Sequence, residues 1–128
     1  MQRELFALVR GLNLLSECAL RGWVPAHTVQ MFCLIAMRGE TTHSELKKQF
    51  VNKQLGLSEA AVSRTIARLG DGIPMVPGRR AVKGLKWVES YEDPLRRTEK
   101  RVKLTRKGKE LAHALIEVVR GKVSHKAA

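Results

Sequence analysis

Aromatic residues are scarce in this chain: three Phe, two Trp and one Tyr among 128 residues. A core must therefore be built mostly from Leu, Val, Ile and Ala, and the 44% hydrophobic content supplies enough of them for one folded domain. Cysteine is nearly absent. Cys18 and Cys33 stand alone in apolar helical contexts, too far apart for a CxxC metal pair and too few for a disulfide framework. They read as buried free thiols in a reducing compartment, with Cys18 packing rather than sensing oxidants. No apolar run approaches the roughly 20 residues that a membrane span takes, so no membrane partner is expected. The opening does not read as a signal peptide, because Arg3 and Glu4 come early and the apolar residues after them are periodic. The expected location is the cytoplasm. His27, His43, His113 and His125 are dispersed and fall in no HExxH or paired Cys/His spacing, and neither GxSxG nor GxxxxGK[ST] occurs. The carboxylates form no obvious pair. These absences argue against an enzyme and against a metal or other cofactor.

Acidic residues are also few, with 12 Asp and Glu against 24 Lys and Arg, for a formal net charge of +12. The imbalance is local. Residues 1–78 hold nine basic and six acidic side chains, whereas residues 79–128 hold fifteen and six. A solubilising surface would be served as well by mixed signs. A folded domain with its positive charge gathered in one half points instead to a polyanion partner.

The chain then divides by periodicity. Leu5, Leu8, Leu12, Leu15 and Ala19 repeat at heptad spacing, which predicts a first helix through residue 21. Its stripe suits packing along another helix, either in a second subunit or in the chain's own core, and Gly22 would end it. Pro25 suits the first turn of a second helix, apolar through Val29, Phe32, Cys33 and Ala36, that stops at Gly39. Thr42 and Glu45 have capping-box spacing ahead of a short helix 45–50 with Leu46 and Phe50 on one face. Residues 51–57 turn the chain around Gly56. Ser58 is an N-cap and Glu59 a first-turn acid for a helix 59–69, whose Val62, Ile66 and Leu69 face inward. Its other face shows Ala60, Ala61, Ser63, Arg64 and Arg68. Small residues allow close approach to a groove, and an arginine can reach a guanine edge or a phosphate.

Residues 70–83 are rich in Gly and Pro and exclude a regular helix. Arg79 and Arg80 lie there, in a basic stretch through Lys86 that would track phosphate or be ordered by the next segment. Two β-like runs come next, Leu85–Tyr91 and Arg101–Leu104, around a charged turn with Asp93 and Pro94. The return strand alternates Val102 and Leu104 with Arg101 and Lys103, an apolar and a basic face. Thr105 caps a last helix that tolerates Gly108 in its first turns and carries Leu111, Leu115 and Val118; the tail after Gly121 is expected to fray.

The segments LSEAAVSRTIARL, EDPLRR and VKLTRKGKEL, in that order, resemble the MarR-type winged helix family of transcriptional regulators over about residues 25–115. The resemblance implies a mainly α fold with a small β-hairpin wing, that is, a winged helix-turn-helix. It implies one domain over 1–128, with the helix-turn-helix and wing in 41–104 and dimerisation helices in 1–22 and 105–124. It places DNA contacts on Ser63, Arg64 and the wing residue Arg97. Two features depart from the family pattern besides a short C-terminal region. Counting back from Val102, the usual Asp and Arg of the wing tip fall on Arg96 and Thr98, and the stretch between recognition helix and wing strand is long. Ala60, Ala61, Ser63, Arg64, Arg68, Arg79, Arg80, Arg96, Arg97, Lys100 and Arg101 are together the candidate DNA-binding residues.

The expected function is sequence-specific binding of double-stranded DNA by a homodimeric transcriptional regulator associated with the nucleoid. Helix 59–69 would enter the major groove, and the wing 85–104 would lie on the minor groove or backbone. The alternatives are a winged helix adaptor that contacts an acidic protein surface, and an architectural or replication protein that binds DNA without sequence preference. The pattern leaves room for a small-molecule effector but indicates none.

Overall fold

A computed structural model of the chain describes residues 2–19, 25–51, 56–74, 77–78 and 80–121, without the side chain of residue 97. The helix stop expected at Gly22, most of the turn expected over 51–57, Arg79 and the tail after Gly121 lie outside the described residues. Within them run α1 (Gln2–Cys18), α2 (Ala26–Arg38), β1 (Glu40–Thr42), α3 (His43–Phe50), α4 (Glu59–Leu69), β2 (Gly72–Ile73), β3 (Val82–Lys83), β4 (Val88–Asp93), β5 (Arg96–Leu104) and α5 (Arg106–Val119). The fold is mainly α with a β-hairpin wing, as the sequence predicts.

Three helices start by the same device. The side chains of Thr42, Ser58 and Thr105 each accept a hydrogen bond, at 3.0 Å, from the backbone N–H three residues on: Glu45, Ala61 and Gly108. Each satisfies one of the donors that a helix start leaves without an intrahelical partner, worth about 1 kcal/mol. Pro25 stands just outside α2 rather than in its first turn. The helix ends where Gly39 turns to a φ of 76°, and the Gly39 N–H donates to the Ile35 carbonyl.

An antiparallel sheet of order β1-β5-β4 closes the domain, with Val102 of the central strand opposite both Thr41 and Ser90. One face covers the core. Met31, Phe32 and Ile35 of α2 meet Leu46 and Phe50 of α3, Val62, Ile66 and Leu69 of α4, and Val88, Val102 and Leu104 of the sheet. The predicted inward positions of α3, α4 and β5 are all buried. Trp87 lies fully within this cluster, its ring 5.1 Å from that of Phe32 in an edge-to-face arrangement at 60°.

The outgoing strand begins three residues later than the sequence predicts. The N–H groups of residues 85–87 instead close the C-terminal end of α4. Leu85 donates to the Arg68 carbonyl, Lys86 to Gly70 and Trp87 to Leu69, at 2.8–2.9 Å. Trp87 therefore sits in a bend before β4 rather than in the alternating strand, so both it and its neighbour Val88 are buried. The return strand runs to Arg96, five residues further than predicted, which tightens the turn to Pro94-Leu95. The loop 70–83 is anchored too, by a short β2–β3 pairing of Gly72 with Lys83 and Ile73 with Val82.

Gly108 is required here rather than merely tolerated. The Thr105 N–H donates to the Trp87 carbonyl, and a Cβ on Gly108 would land on that same carbonyl oxygen. Cys18 also departs from expectation. It is exposed at the end of α1, and partial burial, then the Glu17 carboxylate, push its thiol up, away from the thiolate that a redox sensor needs. Cys33 is half-buried, and burial raises its thiol as well.

Gly108→Ala is expected to destabilise the domain by about 1–3 kcal/mol through overpacking, and Trp87→Ala by about 3–5 kcal/mol through loss of a buried indole. Both should appear as a lower urea midpoint at unchanged slope.

Candidate nucleic-acid interface

Helix α4 presents its outer face as its periodicity requires. With Val62, Thr65, Ile66 and Leu69 turned inward, Ala60, Ser63 and Arg64 are exposed and Ala61 is half-buried. The Thr65 hydroxyl is satisfied within the helix by the Ala61 carbonyl at 2.8 Å. Arg64 and Arg68 do not share one environment. Arg64 is solvent-facing, whereas Arg68 is half-buried beside the helix end, with its Nε buried and without a hydrogen-bond partner among the described residues. Helix α3 lies beside α4, with Lys47 Nζ 4.0 Å from the Glu59 carboxylate.

The wing is braced against the start of α3. The Ser44 hydroxyl donates to both carboxylate oxygens of Glu99, at 2.8 and 3.0 Å, and His43 Nε2 lies 3.0 Å from Ser90 Oγ. Helix α3 and the hairpin are therefore tied by polar side chains as well as by the core. Sequence reading missed these residues because each is locally unremarkable and meets its partner 47 or more positions away.

Arg101 is part of the same bracing. Its Nε donates to Glu40 Oε2 of β1 at 2.9 Å and its Nη1 to Asp93 Oδ2 at 3.4 Å. The sequence sets Arg101 on an outward basic face; in the structure two carboxylates also engage its guanidinium and set its geometry. These partners, Glu40 foremost, hold it firmly protonated. Asp93 is kept below the usual carboxylate range by the Leu95 N–H that it accepts and then by Arg101. Strand register also sets Glu92 opposite Lys100 and Glu89 opposite Lys103, so part of the wing's charge faces opposite charge across the hairpin. Arg96 and Lys100 are exposed on β5; Arg97 lies between them on the same strand.

Among the described residues, the exposed cations of the basic half are spread over several elements, among them Arg80, Lys83 and Lys86 before β4, Arg96, Lys100 and Lys103 on β5, and Arg106, Lys107 and Lys109 at the start of α5. Lys86 is bonded through its N–H to Gly70 and through its carbonyl to the Thr105 hydroxyl, at 2.9 and 2.7 Å, which fixes it at the base of the wing. Exposed Arg80 and Lys83 belong to the adjoining β2–β3 segment. The six residues of β4 put the tip about 17–20 Å from that base. Arg96 thus stands at the far end of the hairpin from Lys86.

Over 94% of this chain and 79% of the other, the fold superimposes with a TM-score of 0.50 on a crystal structure of a mutant MarR from E. coli complexed with operator DNA, at 20% identity. The chain has the MarR-type winged helix fold. The sequence itself matches no protein-family model and no curated protein. Within the MarR-type frame, the departures seen in the sequence acquire positions. The stretch between α4 and the wing contains the β2–β3 pairing, and the tip is a Pro94-Leu95 turn flanked by Asp93 and Arg96.

Burial, then the Lys100 and Lys47 cations, hold His43 below its ordinary value of 6.5, against a smaller opposing effect of Glu99. The unfolded chain therefore takes up a proton on this residue at higher pH than the folded one. As pH falls through about 6.5 the unfolded state binds more protons and stability drops, until the folded His43 also titrates. Urea midpoints followed downward from pH 7.5 should show this decline, and His43→Gln should flatten it.

Proposed function

We propose that this protein is a homodimeric transcriptional regulator that binds double-stranded DNA sequence-specifically. The observation that carries the reading is the outer face of α4. Ala60, Ala61 and Ser63 let the helix approach closely, and solvent-facing Arg64 can donate to a base edge or phosphate. The wing alongside would follow the minor groove or backbone, with Arg96 and Lys100 near phosphates and Arg101 holding the hairpin in shape. Arg68 would act at the inner end of the helix. Exposed Arg80, just before β3 in the chain, would meet backbone beyond the central contact. The neighbour of like fold was crystallised with operator DNA, which supports the same reading. Such a protein would work in the cytoplasm at the nucleoid; no helix among the described residues is long and apolar enough to cross a membrane.

Dimerisation is supported by the first helix. Leu5, Leu8 and Leu12 are 57%, 56% and 41% exposed, Phe6 and Val9 lie beside them, and only Leu15 of the heptad stripe reaches the core. Helix α5 packs on α1 at Gly11, through Leu115 and Val119, and leaves Ile116 exposed nearby. An apolar face of this length, on the two segments expected to dimerise, suits a second copy of the chain.

Selection of bound duplexes from a random pool tests the specific reading, and a palindromic consensus is expected. Arg64→Ala should weaken binding to the selected duplex by about 1–3 kcal/mol; unchanged affinity would remove the recognition-helix assignment. In a salt titration log K should fall with a slope of about −0.9 per neutralised phosphate. Absence of DNA binding at low salt would favour the adaptor reading, and a salt slope without a consensus the architectural one. Leu8→Asp should convert the dimer to monomer in sedimentation equilibrium.

A further inference from the structure

The wing ends in an apolar side chain. Leu95 is 91% exposed, the highest value for a large hydrophobic residue among the described residues. It occupies the two-residue turn between Asp93 and Arg96, where hairpins usually carry Gly, Asn or Asp. Neither Pro94 nor Leu95 takes a positive φ. The Asp93 side chain holds the turn instead, with Oδ1 accepting the Leu95 N–H at 2.9 Å. Its other oxygen meets Arg101, which in turn bonds Glu40 on β1, so the apex is pinned to the far edge of the sheet. Pro94 contributes a fixed φ of its own. A single exposed leucine on a surface is ordinary. This one stands at the apex of a braced hairpin with charged and polar neighbours, about 17–20 Å from the core.

We propose that Leu95 is a wedge that enters the minor groove and opens a base step, with Arg96 beside it on the backbone. The inference rests on the DNA-binding reading above. Minor-groove proteins insert apolar side chains in this way, unstacking a step and kinking the duplex toward the major groove. Three properties suit Leu95 to that role. It is already desolvation-ready, since no intramolecular surface covers it. Its turn is held by the Asp93 carboxylate, so less ordering entropy is lost on insertion. A cation adjacent in the strand can hold the phosphate of the opened step. Pyrimidine–purine steps, which kink most readily, should then be favoured where the wing lands.

The test uses the full-length protein and a duplex recovered by its own selection from a random pool. The duplex carries fluorophores at both ends for energy transfer and 2-aminopurine scanned through the A·T pairs flanking the consensus. Wild-type protein should bend the duplex by about 20–90° and brighten 2-aminopurine at one flanking step. Leu95→Ala, which removes no core contact, should lose both signals and about tenfold in affinity. Leu95→Phe should retain them. A wild-type complex that is bound but straight and dark overturns the wedge and leaves the DNA-binding reading standing, as does a Leu95→Ala variant with unchanged bend and brightness. Recovery of no duplex removes both.

Discussion

Three consecutive backbone donors hold this domain together. A helix end leaves carbonyl groups without intrahelical partners, and burying such an end is costly unless something donates to them. At α4 the donors are Leu85, Lys86 and Trp87. Providing them forces the chain through a bend in which Lys86 takes a φ of 62°, a conformation that side chains other than glycine rarely adopt. The bend places the Trp87 indole among Phe32 and the other core side chains, and turns the Trp87 carbonyl toward Thr105. Thr105 then starts α5 close against that carbonyl, where only glycine fits at position 108. Helices α4 and α5 and the wing are thus oriented by one short segment.

The second constraint is electrostatic. A hairpin this rich in cations would repel itself if its charge were free. Glu40 and Asp93 engage Arg101, and register sets Glu92 and Glu89 opposite Lys100 and Lys103. The two Arg101 ion pairs are partly exposed, each of modest energy and weakened by salt. Their importance lies in geometry: they tie the wing tip and β5 to the β1 edge of the sheet. The wing's polar ties to His43 and Ser44 couple its position to α3, so hairpin and helix-turn-helix present a single shape to a partner.

Much of this was legible in the chain itself. The extent of α4 follows from Ser58, the i, i+4, i+7 spacing of Val62, Ile66 and Leu69, and Gly70. Its outer face follows from the same period. Capping at Thr42 and Thr105 was readable because a cap is a local event, complete within three residues. Less legible were the roles of Arg101, Arg68 and Gly108. Each depends on a neighbour distant in sequence: Glu40 for Arg101, the returning 85–87 segment for the end of α4 at Arg68, and the Trp87 carbonyl for Gly108. Alternation misplaced the start of the outgoing strand because Leu85–Trp87 pair with a helix end rather than with another strand.

Periodicity, caps and charge by themselves determined which segments are helices, which face of each is apolar, and that the second half is basic. They did so because the hydrophobic effect and end-capping act on patterns a few residues long. Tertiary structure alone decided that Arg101 is engaged by two carboxylates, that residues 85–87 close the end of α4, and that the hairpin's apex is a leucine. Those properties arise from hydrogen bonds and ion pairs between segments far apart in the chain, and no local pattern encodes who those partners are.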